Sequence, residues 1–384
     1  MSNSNVVPVP PPVPFNRPYM SPTALQAMAD AASRGHLSGD GHFTALATEM
    51  LRGLTNVDQI LLTTSCTHAL EMCALVLELQ PGDEVIMPSF TFVSTANAFA
   101  LRGVRPVFVD IRDDTFNIDE RLVENAITDR TRAIVVVHYA GVACEMAALQ
   151  ALAVRRNIVL IEDNAHGLGG TYQGARLGGI GSMSTLSFHE TKNVHCGEGG
   201  ALLVQDAALF ERAEIIREKG TNRSRFFRGQ VDKYTWVSLG SSYLLSDLLA
   251  AFLSTQLQEF DEIQNRRHTI FDRYQAEFSG WAEDRNFRFQ ICPDDRRHPA
   301  HLFSMLAPNL ESRTAFIDHL NGQGVKAVFH YVPLHSSPYG MTFGDVYLPV
   351  TDDVSDRLVR LPLYPELSDG DLERVCRAVK SFQR

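Results

Sequence analysis

The chain has 384 residues, a formal net charge of −10 and a sequence pI of about 5.7, with 45% hydrophobic and 21% charged residues. This composition is ordinary for a globular protein with one large domain and a smaller one, and its acidic balance argues against a nucleic-acid scaffold. No apolar run reaches the roughly 18 residues that a membrane span needs, and the N-terminus lacks the pattern of a signal peptide, so we expect neither nucleic acid nor membrane as a partner.

The six cysteines are scattered and form no Cys-x-x-Cys pair, which argues against zinc and redox motifs. We read them as buried thiols in a reducing cytoplasm. His189, His195 and Cys196 lie close in sequence, but no carboxylate or third ligand follows at metal-ligand spacing. We therefore expect no metal site.

Residues 1–20 contain a proline-rich run at 7–14 and are expected to form an extended tail. A first helix should follow, with Ser21 as its N-cap, Pro22 at its first position and Gly35 at its end.

From residue 58 onward, short apolar strands alternate with helical segments. The predicted strands are 60–63, 84–87, 105–109, 133–137, 158–162, 183–187 and 201–204. Near-continuous Val, Ile and Leu runs of this kind predict an α/β large domain with a mostly parallel seven-stranded sheet.

A helical stretch, longer than most globular helices, is predicted over about 246–278, and it should lead into a small C-terminal α+β domain. That domain is expected to have strands near 301–306 and at 325–329, a helix near 312–320 and a last helix from Ser368. The predicted division of the chain is a tail at 1–20, a large domain at 21–262 and a small domain at 263–384.

Two predicted strands end in candidate ligand-binding residues. In an open parallel sheet, ligands bind at the carboxyl ends of the strands. The segment 64–68 ends a strand and opens a helix, so its amides and hydroxyls suit a phosphate, although a plain N-cap by Ser65 or Thr67 is the alternative. Asp163 ends another buried strand and needs a cationic partner such as a protonated pyridine, unless it caps the next turn.

Lys192 is the candidate nucleophile. Only five of the 35 basic residues are lysines, and Lys192 alone follows an apolar strand and precedes a glycine-rich turn. A lysine, unlike an arginine, is readily tuned into a nucleophile, whereas the alternative is a solvated loop lysine. Ser187, five residues earlier, is placed to reach a phosphate on the same ligand. Pyridoxal phosphate (PLP) would explain all three sites, because it needs an amine, an acid and a phosphate cradle.

The chain resembles the DegT-type sugar-nucleotide aminotransferases, PLP enzymes of fold type I, from residue 13 onward. The matching stretches are 82–97 (GDEVIMPSFTFVSTAN), 138–146 (HYAGVACEM), 187–193 (SFHETKN), 218–223 (EKGTNR) and 228–236 (RGQVDKYTW). The stretch from 218–223 running on to 228–236 is absent from most of the wider family, and with it the chain most resembles the subgroup that forms dTDP-4-amino-4,6-dideoxygalactose.

The resemblance implies a role for each matching position. Lys192 corresponds to the Schiff-base lysine and Asp163 to the partner of the ring nitrogen, and these two are the expected catalytic residues. The other implied cofactor contacts are His166 beside the phenolic oxygen, Phe92 stacked on the ring, and Thr67, His68 and Ser187 at the phosphate. Family members are homodimers with shared active sites, and residues 240–247 correspond to the loop donated by the partner. Many relatives have asparagine and arginine there, where this chain has Ser242 and Leu244; Ser242 takes over part of the phosphate contact in this interpretation.

The implied substrate contacts are less specific. Tyr331 and His335 match a loop that closes over the sugar, with a packed turn as the alternative. Arg223 and Arg228 suit the nucleotide diphosphate because guanidinium groups bind phosphate well, with a solvated basic loop as the alternative.

The expected reaction is PLP-dependent transamination of a dTDP-4-keto-6-deoxy sugar, with L-glutamate as the donor. A nucleotide-linked 4-keto pentose or a 3-keto sugar is an alternative acceptor. Family members that have histidine at the lysine position are dehydratases, and Lys192 favours transamination here. The alternative of another class is a non-catalytic regulator that binds PLP or a sugar nucleotide.

Overall fold

A seven-stranded sheet forms the centre of the protein in the computed structural model, which describes residues 11–383. The strands are β1 (Gln59–Thr63), β2 (Glu84–Pro88), β3 (Arg105–Val109), β4 (Thr131–Val137), β5 (Val159–Asp163), β6 (Thr171–Tyr172), β7 (Ala175–Arg176), β8 (Met183–Ser187), β9 (Gly200–Val204), β10 (Arg288–Phe289), β11 (Arg296–Arg297), β12 (Phe303–Leu306) and β13 (Leu358–Leu361). In the central sheet their order is β1-β9-β8-β5-β4-β2-β3. Only β9 runs antiparallel to its neighbours. The predicted α/β fold with a mostly parallel seven-stranded sheet is confirmed.

Helices cover both faces of this sheet. They are α1 (Ala24–Ser33), α2 (His42–Thr55), α3 (Cys66–Val76), α4 (Val93–Ala100), α5 (Glu120–Val123), α6 (Met146–Arg156), α7 (Ala207–Arg217), α8 (Arg223–Phe227), α9 (Asp247–Gln258), α10 (Phe260–Asp284), α11 (Leu310–Gly322), α12 (Pro349–Arg357) and α13 (Asp369–Lys380). Short 3-10 helices lie at Glu124–Ala126, Tyr139–Gly141 and Gly340–Phe343. No helix within residues 11–383 has both the length and the apolar character to cross a membrane.

Alternate residues of each strand face opposite layers of the core. Val135 and Ile161 pack with α3, α4 and α7, whereas Ile134 and Leu160 pack with α6 on the other face. A parallel sheet buried on both sides explains why these strands read as unbroken apolar runs.

A second core belongs to the C-terminal part of the chain. There β10, β12 and β13 form an antiparallel sheet against α10, α11 and α13, with a core rich in aromatic side chains such as Phe278, Phe303 and Phe316. The division of the chain at residue 262 stays a prediction.

The helical stretch predicted over 246–278 is confirmed, and it consists of two helices, α9 and α10, separated at Glu259. The carboxylate of Glu259 accepts hydrogen bonds from Tyr19 Oη and Ser21 Oγ, both at 2.8 Å. Ser21 Oγ also accepts from Thr23 N at 3.3 Å, but the N-cap of α1 is Thr23 and the helix begins at Ala24, so the predicted N-cap at Ser21 is wrong. The break between α9 and α10 lies where this N-terminal segment is anchored.

The predicted strand at 325–329 is also wrong. Val325 forms only an isolated parallel bridge with Val13, and Val328 forms an isolated antiparallel bridge with Arg360. Residues 11–20 form what we call the N-terminal strap, which is extended across the C-terminal part, with Val13 N donating to Gly324 O at 2.8 Å. The rest of the predicted tail, residues 1–10, lies outside the described residues.

Candidate active site

A cavity of about 520 Å³ opens at the carboxyl ends of β5 and β8. Its walls come from the start of α3, the loop after β8, the N-terminal strap and the C-terminal part of the chain. The polar residues that line it are Asn16, Ser65, Thr67, Thr91, Ser94, Thr95, Asp163, His166, Ser187, His189, Thr191, Lys192, Glu198, Arg267, His301, His330, Tyr331 and Arg360. This volume suits a small-molecule ligand.

Lys192 lies in this cavity, on the loop that connects β8 to β9. Backbone bonds from Phe188 N to Gly199 O (2.8 Å) and from Cys196 N to Phe188 O (2.9 Å) close the loop. Burial lowers the pKa of Lys192 to about 8, and the positive charge of Arg360 adds to this shift, while Asp163 opposes it. The amine is therefore accessible in its neutral, nucleophilic form near neutral pH.

Asp163 ends β5 at the middle of the sheet and is buried. Its Oδ2 accepts from Thr95 Oγ1 at 2.7 Å and its Oδ1 from Ala165 N at 3.3 Å. Burial raises the pKa of this carboxyl group, and none of the described cations lies within ion-pairing distance of it. A cationic group of a ligand would relieve this cost.

Thr95 is a site residue that the sequence reasoning missed. It lies in the first turn of α4, and its hydroxyl also contacts Thr91 Oγ1 at 2.8 Å. The sequence carried one usable signal, a hydroxyl residue in the first turn of a helix that follows a strand of the central sheet.

The start of α3 presents unpaired hydrogen-bond donors to the cavity. Ser65 Oγ caps the helix by accepting from His68 N at 3.1 Å, so the N-cap reading is correct. Within residues 11–383, the N–H groups of Cys66 and Thr67 have no acceptor, as is usual for a first helical turn. Thr67 Oγ1 lies 2.8 Å from Ser94 Oγ. Two amides without acceptors beside two hydroxyls, at the positive end of the helix, are chemically suited to an anion.

Gly200, at the start of β9, allows this helix end to approach the sheet. A Cβ at this position would lie 2.4 Å from Cys66 N and 2.4 Å from the carbonyl carbon of Ser65. The close approach therefore requires glycine.

His166 lies over a second histidine at the side of the cavity. Its ring stacks on His301 with centroids 4.3 Å apart, and its Nδ1 accepts from Ala140 N at 3.3 Å. His301 Nδ1 is held in turn by Asn193 Oδ1 at 2.9 Å, next to Lys192. Burial lowers the pKa of His166 well below its usual value, so the ring is neutral and its proton is assigned to Nε2.

Three further predicted residues line the cavity. Ser187 ends β8, Phe92 stands 58% exposed at the rim, and Tyr331 lies with its ring centroid 6.5 Å from that of Phe92.

The other predicted residues lie outside the cavity of their own chain. His68 bonds Thr64 Oγ1, and buried His335 bonds Ser89 Oγ at 2.8 Å. Arg223 pairs with Glu218 at 2.9 Å, and Arg228 pairs with Glu214 through both of its terminal nitrogens. Ser242 is exposed, and its backbone bridges to Glu218.

Arg360 is a second cavity residue that the sequence reasoning missed. It is a lone charged residue within the apolar strand β13. Such a residue in a buried strand is itself a signal, because a charge is rarely placed there without a role.

Comparisons with known proteins agree on one family. The model of the DegT/DnrJ/EryC1/StrS aminotransferase family matches residues 18–380. The uncharacterized protein MJ1066 of Methanocaldococcus jannaschii is 35% identical over 330 residues, which cover 83% of this chain and 84% of that protein. The structure of the aminotransferase TlmJ from Streptoalloteichus hindustanus is similar, with a TM-score of 0.89, 29% identity and 96% and 98% of the two chains covered. The PLP form of Spr1654 from Streptococcus pneumoniae gives a TM-score of 0.88 at 27% identity, covering 96% of this chain and 98% of that one.

Proposed function

The chain belongs to the DegT/DnrJ/EryC1/StrS aminotransferase family of PLP-dependent enzymes, and on this basis we propose that it aminates a dTDP-linked 4-keto-6-deoxy sugar with L-glutamate. The product would be a dTDP-4-amino-4,6-dideoxy sugar. The observation that carries the proposal is the meeting of Lys192, Asp163 and the free amides of α3 in one cavity.

The cavity offers a complementary group for each reactive part of PLP. Lys192 presents an amine of lowered pKa for the aldehyde. Asp163, buried without a cationic partner, suits the protonated ring nitrogen. The unpaired amides of Cys66 and Thr67, with the Ser187 hydroxyl nearby, suit the phosphate.

The side chains would divide the proton handling between them. When bound, PLP supplies an electrophilic carbon for amines and a ring that delocalises the electron pair left on the substrate. Lys192 Nζ would take a proton from one carbon and return it to another. With a pKa of about 8, both the neutral and the protonated amine are accessible for these two steps. Asp163 keeps the ring nitrogen protonated, and His166 Nε2–H is available to the phenolic oxygen.

The acceptor sugar is proposed from the subgroup-specific segments 218–223 and 228–236 and from the cavity wall. Tyr331 lines the cavity and is proposed to contact the sugar. His335 would act by holding the neighbouring backbone through Ser89. Arg223 and Arg228 would reach the diphosphate only by exchanging their present carboxylate partners.

A homodimer with shared active sites is part of the proposal. Ser242 is exposed and does not line its own cavity. Nearby, large apolar side chains are exposed, including Phe227 at 69% and Trp236 at 76%. A surface of this kind is expected where a second copy packs. We also propose a cytoplasmic location, on the basis of the six free cysteines.

The test is direct. Purified protein is incubated with dTDP-4-keto-6-deoxyglucose and L-glutamate, and the product is identified by NMR, which also gives the configuration at the aminated carbon. A dTDP-4-keto pentose and a 3-keto sugar serve as rival acceptors, and Lys192→Ala serves as the control. Turnover of a rival acceptor alone would change the assigned substrate. PLP binding without any amine exchange from glutamate would favour a regulatory protein.

A further inference from the structure

Arg360 carries a positive charge into the active-site cavity without a carboxylate partner. Its Nη2 donates to Phe329 O at 3.1 Å, and its guanidinium group stacks on the ring of Phe15 with 4.8 Å between the guanidinium carbon and the ring centroid. Its buried Nε has no hydrogen-bond partner in the part of the chain that the structure describes. No carboxylate of residues 11–383 pairs with this guanidinium group, so its charge is available to a ligand.

Arg267 shows what a purely structural arginine looks like in the same cavity wall. Its guanidinium group donates to the carbonyl oxygens of Ala300, His301 and Leu363, at 3.0, 2.5 and 3.3 Å. These bonds connect α10 to the chain before β12 and after β13. Arg360 makes only one such bond, so fixing the backbone does not account for its charge.

The charge of Arg360 acts on the reacting end of the cavity. It lowers the pKa of Lys192 and of His166, in both cases as a contribution smaller than burial. Among residues 11–383, only Asp163 and Glu198 bring carboxylates to the cavity wall, and neither pairs with Arg360. An anion bound near Arg360 would offset this accumulation of positive charge.

We propose that Arg360 binds the α-carboxylate of the amino-acid donor, an inference that rests on the proposed aminotransferase function. The α-carboxylate lies one bond from the carbon that carries the amine, so its site must be close to Lys192. The diphosphate of a nucleotide sugar is separated from a reacting C4 by the sugar ring, so its site must be farther away. A planar guanidinium group also matches a carboxylate with two parallel hydrogen bonds.

The N-terminal strap positions this arginine. Val13 is bridged to Val325, and this bridge places Phe15 under the guanidinium group. The backbone of Arg360 is paired with Val328 and with Ser304 of β12. The guanidinium group is thereby confined between the strap and the C-terminal part, which reduces the ordering needed when the donor binds.

The experiment compares amines with and without an α-carboxylate. Holoenzyme is mixed with L-glutamate or with 4-aminobutyrate, which is glutamate without its α-carboxylate, and the cofactor spectrum is followed in a single turnover. The variants are Arg360→Met, Arg360→Lys and, as a matched control outside the cavity, Arg357→Met. Binding of glutarate, which has no amine, is measured by calorimetry, and thermal melting confirms that each variant is folded.

The Arg360→Met change is expected to weaken glutamate and glutarate binding about 10- to 100-fold, the effect of losing a charge-assisted pair. Binding of 4-aminobutyrate should change little, Arg360→Lys should be intermediate, and Arg357→Met should resemble wild type. Equal losses for both amines, or a loss confined to the nucleotide sugar, would overturn the proposal.

Failure of the proposed function gives a different result. Wild-type enzyme would then show no spectral change with glutamate. In that case the glutarate measurement by itself would decide whether Arg360 binds a carboxylate. Weaker glutarate binding in Arg360→Met would support the carboxylate site, and equal binding would refute it.

Discussion

Thr95 Oγ1 donates a hydrogen bond of 2.7 Å to Oδ2 of Asp163. A hydroxyl has one proton, so the contact of 2.8 Å between Thr95 and Thr91 must be a bond donated by Thr91. The two threonines form a directed chain that fixes the rotation of the carboxylate and favours its ionised form. The helix α4 thus supports a group on β5.

Replacing Thr95 with valine should leave Asp163 poorly oriented. Loss of a hydrogen bond to a charged group costs roughly 1.5–3 kcal/mol, so PLP affinity or kcat should fall about 10- to 100-fold. Thr95→Ser keeps the hydroxyl and should restore most of the loss. Both quantities are measured by cofactor titration and steady-state kinetics, and an equal defect in the serine variant would point to packing instead.

Asp163→Asn should raise the stability of the cofactor-free protein but reduce the stabilisation that PLP provides. Burial raises the pKa of this carboxyl group above its usual 3.8, so the folded state is penalised as the pH rises above that value. The cofactor-free asparagine variant should therefore melt at a higher temperature than wild type at pH 7, with a difference that shrinks toward pH 4. PLP should raise the melting temperature of wild type more. A wild type that is the more stable protein at pH 7 without PLP would contradict this expectation.

The covalent uptake of PLP should follow the titration of Lys192. With a pKa of about 8 instead of 10.5, the neutral amine increases about tenfold per pH unit up to that value and then reaches a plateau. PLP is added to protein freed of cofactor, and the adduct with the lysine is trapped with borohydride. The initial rate of adduct formation should level off above pH 8. A rate that keeps rising to pH 10 would show an ordinary lysine. Lys192→Ala, the control, should trap nothing at this site.

Gly200→Ala should disturb the anion site at the start of α3. The added Cβ would lie 2.4 Å from Cys66 N, and forcing this contact should cost about 1–3 kcal/mol and weaken PLP binding. Gly280→Ala is the matched control, because this position in α10 has nothing within 4 Å of an added Cβ. That change should stabilise the protein by about 0.5–1 kcal/mol. Chemical denaturation of both variants measures the two effects, and equal stabilities would contradict the proposed close approach.

The sequence predicted the features that arise from local patterns. Strands of the central sheet were legible because buried parallel strands are continuously apolar. Lys192 and Asp163 were legible because each follows such a strand, and strand ends gather at one edge. These residues could be located before any contact was known.

The errors and omissions all depend on contacts between distant residues. The break between α9 and α10 occurs where Glu259 is held by Tyr19 and Ser21, about 240 residues away in sequence. In the segment predicted as a strand at 325–329, the β-bridges are isolated ones to the distant residues Val13 and Arg360. Thr95 reaches Asp163 across 68 residues. Periodicity within a short window carries no information about such partners.

The single antiparallel strand β9 has a consequence for how the enzyme moves. Because β8 and β9 are paired along their length, the segment that carries Lys192 begins and ends on the same rigid ladder. Its closure leaves the backbone of this segment little conformational freedom, whereas the side chain of Lys192 keeps its own rotations. The same ladder pairs β8 with β5, so the sheet also fixes the backbone on which Lys192 is carried relative to Asp163 at the end of β5.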